Sequence, residues 1–280
     1  MLMRIPLLLC AAVMLLLLIA VQAPGRAATA RDCGLDNPCR VADGEYRVRF
    51  PTGWDGKRQL GAIFYIHGYQ GSATAEMKNR AWQRLADRLD VAFVLPDGRN
   101  GAWSYPGSPG QERDDFAFFW HLVTDLTTRF PVRRDRLMVS GFSIGGSMVW
   151  NLACYQAELF AGFAAIAGAF WDPIPEQCPT VPSFLYHVHG TADLTVPLTG
   201  RPIGDRRHQG DVAESLSVLQ RQAGLRTVFP TTAPVAGLSC QRQQTNQVFF
   251  EICLHSGGHS VQADWIARAW RELSKRRGWD

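Results

Sequence analysis

The stretch LMVSGFSIGGSMVWNLAC, residues 137–154, places one serine between glycines where a strand-forming pattern gives way to a helical one. Ser143 has Gly141 two residues before it and Gly145 two residues after it, which is the pattern G-x-S-x-G. At such a junction only small neighbours let the helix pack close to the strand, and the turn lifts the serine hydroxyl out of the sheet. The sequence therefore predicts that Ser143 is a nucleophile. The alternative is a tight turn without chemistry.

Outward from this junction, strand and helix patterns alternate along the chain. Mostly apolar runs predict buried strands at 60–66, 91–95, 137–140, 162–167, 183–189 and 247–254. Helical spacing is found at 74–89, 115–130, 144–157, 211–223 and 261–273. Residues 45–50 alternate charged and apolar side chains, which predicts a strand at the edge of the sheet. The alternation predicts an α/β fold with a mostly parallel central sheet and helices on both faces.

The first 30 residues have the pattern of a secretory signal peptide. Arg4 precedes an apolar run that ends near Val21, and the small residues Ala28-Thr29-Ala30 close the segment. A retained membrane anchor is the alternative, but the run is short for a span of about 20 residues. Cleavage leaves residues 31–280 as a single catalytic domain. We therefore expect a secreted or periplasmic protein that has no membrane contact after cleavage.

Charge and cysteine content exclude several kinds of partner and cofactor. The formal net charge is +4 and falls to +2 when Arg4 and Arg26 leave with the leader. Without a dense basic run, the chain is not expected to bind nucleic acid. Six cysteines remain once Cys10 is removed, and an even number in an exported chain predicts disulfides. None forms a C-x-x-C pair, so we predict no metal site and no cofactor.

A serine nucleophile needs a base and a group that orients the base. His259 lies just past the last predicted strand, where a loop can bring its imidazole over Ser143. His255 competes for this role from the strand end, and we favour His259. Asp193 follows the strand at 183–189 and is predicted to orient the imidazole, with a simple turn aspartate as the alternative. The order Ser143, Asp193, His259 is that of an α/β-hydrolase.

Three other histidines receive structural interpretations. His187 and His189 share one face of a strand and have the H-x-H spacing of a metal pair. Because no third ligand is evident, we favour local hydrogen bonding for both. His67 precedes Gly68 in the loop after an early buried strand and is interpreted as a residue that shapes this loop.

The oxyanion of an acyl-transfer reaction needs hydrogen-bond donors. One predicted donor is the backbone N–H of Ile144, the residue after the nucleophile. The second is the backbone N–H of Tyr69, in the glycine-containing loop at residues 66–72. One such hydrogen bond typically contributes about 3–4 kcal/mol to transition-state stabilisation.

Two long loops carry aromatic residues that are predicted to bind substrate. The loop at 98–113 contains Trp103 and Tyr105, and the loop at 168–182 contains Trp171. Long loops without secondary structure are usually functional. We expect these rings, together with Tyr69 of the loop at 66–72, to form an apolar platform for an aromatic acyl group or a hydrophobic polyester chain. The alternative is that they pin the loops to the body of the domain.

Six stretches of the chain, taken together, resemble one family. They are IHGYQGS (66–72), VLPDG (94–98), DDFAFFWHLV (114–123), RLMVSGFSIGGSMVWNLAC (136–154), HGTADLTVP (189–197) and SGGHS (256–260). The chain resembles the secreted polyhydroxybutyrate depolymerases and feruloyl esterases of the α/β-hydrolase superfamily. This resemblance implies an α/β-hydrolase fold without a large cap domain, ester hydrolysis, and a triad of Ser143, Asp193 and His259.

The chain departs from this family at two positions near the substrate. Ser260-Val261 stands where members often have Trp-Pro, and Ile144 stands where a polar residue is frequent. These departures concern the substrate more than the reaction. Proximity along the chain, together with the resemblance, suggests three disulfides, namely Cys33–Cys39, Cys154–Cys178 and Cys240–Cys253. A buried free thiol at Cys253 is the alternative to the third.

The predicted function is that of an exported serine esterase that works through an acyl-enzyme. Its ester substrate is expected to be a polyhydroxyalkanoate-type polyester or oligomer, or a feruloyl or short acyl ester, including esters linked to a polymer or polysaccharide. A peptidase or a thioesterase with the same triad is one alternative, because fold and triad do not fix the acyl group. A non-catalytic secreted binding protein is another, and the complete triad argues against it.

Overall fold

The strands and helices follow the predicted alternation. The computed structural model describes residues 33–225 and 237–279. The strands are β1 (Cys39–Val41), β2 (Gly44–Arg49), β3 (Leu60–Ile66), β4 (Ala92–Pro96), β5 (Val132–Phe142), β6 (Gly162–Ile166), β7 (Phe184–Gly190), β8 (Arg201–Ile203), β9 (Arg207–Gln209), β10 (Ser239–Gln244) and β11 (Phe249–His255). The helices are α1 (Ala73–Met77), α2 (Arg80–Leu89), α3 (Asp115–Arg129), α4 (Ile144–Tyr155), α5 (Val212–Gln222) and α6 (Ala263–Arg277), with a 3-10 turn at Ala157–Leu159.

Nine strands form one sheet in the order β1-β2-β4-β3-β5-β6-β7-β11-β10, while β8 and β9 form a separate ribbon. The six strands from β4 to β11 run parallel. Antiparallel pairing occurs only toward the two edges of this sheet. The mostly parallel sheet is therefore confirmed. Among the described residues, no large cap domain lies over it.

Helices cover both faces of the sheet, which explains why its central strands are almost wholly apolar. Alternate residues of β3 show the two sides. Phe64 and Ile66 pack in the core that α3, α4 and α5 share, and Ile63 and Tyr65 pack in the core that α1, α2 and α6 share. All four side chains are buried. Burial of one such side chain is typically worth about 1.5–3 kcal/mol.

Two predicted elements differ from the structure. The strand predicted at 45–50 is not at the edge, because the short β1 pairs with β2 and covers it. The helix predicted at 74–89 is divided into α1 and α2. Lys78 ends α1, and the Asn79 side chain accepts a hydrogen bond from the Ala81 N–H to begin α2. An N-cap residue has extended backbone, so Asn79 interrupts the helix. The apolar spacing continues on both sides of this break, which is why one helix was predicted.

The three predicted disulfides are all present, namely Cys33–Cys39, Cys154–Cys178 and Cys240–Cys253. The third joins β10 to β11 across one register pair, which excludes a free thiol at Cys253. Each bridge typically stabilises a protein by about 2–4 kcal/mol, mainly because it restricts the unfolded chain.

The predicted signal peptide, residues 1–30, lies outside the described residues. A search of the described part of the chain finds no helix with the length and apolar character needed to cross a membrane.

Candidate active site

The turn between β5 and α4 holds Ser143 in a backbone conformation that few residues adopt. Ser143 has φ 59° and ψ −125°, and such outliers cost a non-glycine residue on the order of 1–3 kcal/mol. Its N–H donates to the Ile166 carbonyl at 3.0 Å, and its own carbonyl accepts from the Ser147 N–H at 2.9 Å. Strand β6 and the first turn of α4 therefore hold the strained residue in place. This is the geometry of a nucleophile elbow.

The flanking glycines are required by close backbone approach. A Cβ on Gly145 would lie 2.2 Å from the carbonyl oxygen of Ile66. A Cβ on Gly141 would lie 2.4 Å from the carbonyl oxygen of Gly145. Because these neighbours are backbone atoms, any larger residue would push α4 away from the sheet.

The loop at residues 66–72 lies directly beside Ser143. A Cβ placed on Gly68 would be 3.6 Å from the Ser143 Cβ. Among the described residues, no acceptor takes a hydrogen bond from the backbone N–H of Tyr69 or of Ile144. Both predicted donors are thus free of internal partners, and Ile144 N–H also lies at the N-terminus of α4, where the helix dipole favours negative charge.

Asp193 is buried and held by the turn that follows β7. Its Oδ1 accepts hydrogen bonds from the backbone N–H groups of Thr195, at 2.9 Å, and Val196, at 2.8 Å. Its Oδ2 accepts from His259 Nδ1 at 2.7 Å. Since two N–H groups fix Oδ1, the carboxylate has one orientation, with Oδ2 directed at the imidazole.

His259 connects this carboxylate to the elbow. Its imidazole packs against the ring of Phe142, with 4.5 Å between the ring centroids, and Phe142 immediately precedes Ser143. Because the Asp193 carboxylate only accepts, Nδ1 of His259 carries the proton. In the neutral imidazole, Nε2 is then an unprotonated acceptor, which is what a general base requires.

The serine hydroxyl itself makes no hydrogen bond to a described residue. Hydrogen bonds between nucleophile and base are often long before substrate binds and tighten in the complex. His255, the competing histidine, has a different set of partners. Its Nδ1 accepts from the Gly257 N–H at 3.0 Å and its ring packs in a tilted arrangement against Trp265. His255 therefore shapes the loop that carries His259.

His187 and His189 make local hydrogen bonds, as the sequence analysis favoured. His187 Nε2 and His189 Nδ1 are 3.0 Å apart, and His189 Nε2 lies 2.7 Å from the Val196 carbonyl oxygen. No sequence pattern indicated that His189 would reach the turn that holds Asp193.

The loop at residues 66–72 is called the oxyanion loop because it carries the predicted donor Tyr69. His67 shapes this loop, as interpreted from the sequence. Its Nδ1 donates to the Gly68 carbonyl at 2.8 Å and its Nε2 accepts from the Gly98 N–H at 3.0 Å. Burial lowers the pKa of His67, so the neutral form that this pattern requires is favoured. The indole N–H of Trp103 donates to the His67 carbonyl at 3.0 Å.

The expectation of an exposed aromatic platform is wrong for the rings of the two long loops, whereas the Tyr69 ring is exposed. Trp103, Tyr105 and Trp171 are all buried. The two loops fold back on the domain because their rings find internal partners, such as the edge-on contact between Tyr105 and Trp171. The alternative interpretation, that these rings pin the loops to the body of the domain, agrees with this burial. A substrate-binding role for these three residues stays a prediction, and it would require the substrate to reach buried side chains.

Two other apolar side chains near the site are exposed. Tyr69 is 60% exposed and Leu194 is 85% exposed. Tyr69 follows Gly68 in the oxyanion loop, and Leu194 follows Asp193. Sequence reasoning did not select Leu194, although its position directly after the predicted acid was a usable signal.

The described residues contain one cluster with metal-ligand atom types, formed by Cys240, Glu251 and Cys253. The two sulfurs are joined in a disulfide, so neither is a thiolate. Glu251 is buried and paired with Arg242 and Arg268. These groups satisfy one another and offer no free ligand set.

Comparisons with known proteins show which family the chain is similar to. A sequence model of the family described as "Putative esterase" matches residues 42–273. "Putative esterase NocK" from Nocardia uniformis subsp. tsuyamanensis is 28% identical over 218 residues, which cover 70% of this chain and 63% of that protein. "Probable feruloyl esterase C" from Aspergillus terreus is 26% identical over 163 residues, which cover 56% of this chain and 57% of that protein. The chain thus spans less than two thirds of both relatives.

A solved structure shows the same fold. The acetyl xylan esterase from Aspergillus awamori superimposes with a TM-score of 0.60 at 14% identity, covering 81% of this chain and 93% of that one. At this identity the likeness establishes the α/β-hydrolase fold alone.

Proposed function

Because the chain belongs to the "Putative esterase" family and has the α/β-hydrolase fold, we propose that it hydrolyses carboxylic esters through Ser143, His259 and Asp193. The observation that carries this proposal is the 2.7 Å hydrogen bond from His259 Nδ1 to Asp193 Oδ2. The same imidazole packs on Phe142, beside the strained Ser143. The hydrogen-bonded acid and base therefore lie at the carboxyl ends of β7 and β11, and the base packs on the residue that precedes the proposed nucleophile.

In the proposed mechanism, Ser143 Oγ attacks the ester carbonyl carbon while His259 Nε2 takes the hydroxyl proton. The Asp193 carboxylate stabilises the imidazolium through its hydrogen bond to Nδ1. The N–H groups of Tyr69 and Ile144 bind the oxyanion, and loss of one such donor typically costs about 10²–10³ in kcat.

The tetrahedral intermediate then collapses. The bond to the alkoxy oxygen breaks, and His259 returns its proton to the departing alcohol. Water next attacks the acyl-enzyme with His259 again as base, which releases the acid and restores the Ser143 hydroxyl. No metal or cofactor takes part in this scheme.

The proposal extends to the compartment and to the substrate. The leader pattern at residues 1–30 and three disulfides support an extracytoplasmic protein, with residues 31–280 as its single catalytic domain. Feruloyl and short acyl esters are the proposed substrates with most support, because relatives carry feruloyl esterase names. Polyhydroxyalkanoate oligomers and polysaccharide-linked esters belong to the same proposed class.

Active-site labelling tests the enzyme against the binding-protein alternative. A fluorophosphonate probe should label the wild-type protein and Ser217→Ala, a matched change on the surface of α5, but not Ser143→Ala. Intact-protein mass spectrometry and peptide mapping would locate the adduct. Labelling at another serine, or none in a folded protein, would refute the proposed nucleophile.

A substrate panel then tests the acyl group. It should contain methyl ferulate, p-nitrophenyl acetate, a hydroxybutyrate oligomer, an acyl thioester and a peptide. We expect turnover of at least one oxygen ester to exceed that of the peptide and the thioester. The reverse ranking would identify a peptidase or a thioesterase.

A further inference from the structure

Two buried histidines next to Asp193 have no role in the proposed mechanism. His187 and His189 are alternate residues of β7, so their side chains lie on the same face of the sheet. Both residues are completely buried. The ring of His187 also packs edge-on against Trp150 of α4, with 5.3 Å between centroids. Two adjacent ionisable groups inside a core call for an explanation beyond packing, because burial penalises their charged forms.

The hydrogen-bond pattern defines the proton positions on both rings. The Val196 carbonyl can only accept, so His189 Nε2 must carry the proton across the 2.7 Å contact. Burial lowers the pKa of His189 and lowers that of His187 well below its ordinary value, so both are neutral. In neutral His189 the other nitrogen, Nδ1, carries no proton and can only accept a hydrogen bond. His187 must therefore donate from Nε2 across the 3.0 Å contact.

Val196 links this chain of hydrogen bonds to the acid. Its carbonyl accepts from His189, and its N–H donates to Asp193 Oδ1 at 2.8 Å. One residue is thus held from both sides, by the imidazole and by the carboxylate. The other contact of His189 Nε2 is Asp193 Oδ2 itself, at 3.6 Å. The titratable groups that face His189 are His187, Asp193, His255 and His259.

We propose that His189 is a positioning residue for Asp193, acting through Val196, and that His187 fixes the tautomer of His189. This inference rests on the proposed function, because it assigns His189 to the orientation of the His259–Asp193 pair. Displacement of a catalytic group by about 1 Å can cost on the order of 10²-fold in rate. A residue that fixes the turn around Asp193 is therefore important for turnover although it does not touch substrate.

Three variants separate positioning from mere packing. His189→Leu removes the N–H that donates to the Val196 carbonyl and fills the buried position with an apolar side chain. His189→Gln keeps an amide N–H that can reach the Val196 carbonyl and cannot ionise. His121→Gln makes the same chemical change on α3, where the side chain is partly exposed, and should leave turnover unchanged.

We expect His189→Leu to lower kcat for p-nitrophenyl acetate by about 10–100-fold with KM changed less than about threefold, because Asp193 acts in the chemical step. His189→Gln should recover at least about a tenth of wild-type kcat. In proton NMR spectra, the His259 Nδ1–H resonance, far downfield because of its bond to Asp193, should shift or broaden in His189→Leu and persist in His189→Gln. Nitrogen-15 spectra should show Nε2–H tautomers for His187 and His189.

Distinct results would overturn this inference. If His189→Leu lowers the melting temperature but keeps the wild-type kcat and the downfield resonance, His189 only fills space. An Nδ1–H tautomer at His189 would contradict the hydrogen-bond chain directly. If the wild-type protein hydrolyses no ester, the proposed function fails, while the NMR readouts still decide whether His189 positions the Asp193–His259 pair.

Discussion

The rings of Phe142 and His259 pack in a tilted arrangement with 4.5 Å between their centroids, so the residue before the proposed nucleophile contacts the proposed base. The side chain of Phe142 is partly buried and packs at the edge of the core that contains α6. Two contacts therefore position the imidazole and leave Nε2 available: the Asp193 carboxylate at Nδ1 and the Phe142 ring.

Truncation of this ring should impair the base more than the fold. We expect Phe142→Ala to lower kcat by about tenfold, since His259 gains freedom to leave the productive orientation. Steady-state kinetics with p-nitrophenyl acetate would measure it. Phe116→Ala truncates another half-buried ring of an aromatic pair, at the start of α3, and serves as the matched control. Equal kcat losses in the two variants would show that Phe142 acts only through stability.

The assignment of the base can be tested directly. Ser143→Ala should abolish turnover, and His259→Ala should be nearly as damaging, because the hydroxyl and the base act in one step. His255→Ala should retain most activity, since the His255 imidazole accepts a hydrogen bond from its own loop and packs against Trp265. Combining Ser143→Ala with His259→Ala should cost little more than either alone. If His255→Ala were the more damaging histidine variant, the assignment of the base would be reversed.

Buried and exposed aromatic residues should respond differently to truncation. Trp103→Ala removes a buried indole and its hydrogen bond to His67, so we expect a loss of about 3–5 kcal/mol of stability and a uniform loss over all esters. Tyr69→Ala changes an exposed ring and keeps the backbone N–H, so it should raise KM for bulky esters and leave the melting temperature unchanged. Thermal melts and kinetics on methyl ferulate and p-nitrophenyl acetate would distinguish the two. A selective effect of Trp103→Ala on bulky esters at constant stability would restore the platform interpretation.

Acidification should destabilise the fold through its buried histidines. Burial lowers the pKa of His67, His187 and His189. Between each lowered pKa and the ordinary value of about 6.5, the unfolded chain binds more protons than the folded one. The stability is therefore complete above about pH 6.5 and falls as the pH drops below it, by at most about 1.4 kcal/mol per pH unit for each group.

Urea unfolding from about pH 8 to about pH 5 would measure this dependence. His189→Gln removes one of the three groups and should reduce the slope. A stability that is constant across this range would contradict the neutral, buried state of the three histidines.

The sequence was most informative about candidate site residues that directly follow the end of a strand. The elbow around Ser143, the acid after β7 and the histidine before α6 each follow a strand end, and the carboxyl ends of parallel strands meet at one edge of the sheet. Exposure was harder to predict. Glycines and prolines around Trp103 suggested a free loop, but they instead let the chain turn back so that the indole reaches the His67 carbonyl. Nothing in the pattern at 45–50 indicated that Cys39–Val41, which begins at the Cys33–Cys39 disulfide, would pair beside it.

The loop that contains Tyr69 is tied to the neighbouring loop before any substrate arrives. His67 Nε2 accepts from Gly98, the His67 carbonyl accepts from Trp103, and Gln70 N–H donates to the Gly101 carbonyl at 2.8 Å. The conformational entropy of arranging this loop is therefore lost during folding and not at each turnover. Because these ties leave the Tyr69 side chain free, mutations at this one position can diversify the ester that is accepted while the loop keeps its shape. Saturation mutagenesis at residue 69 is thus a low-risk starting point for altering specificity.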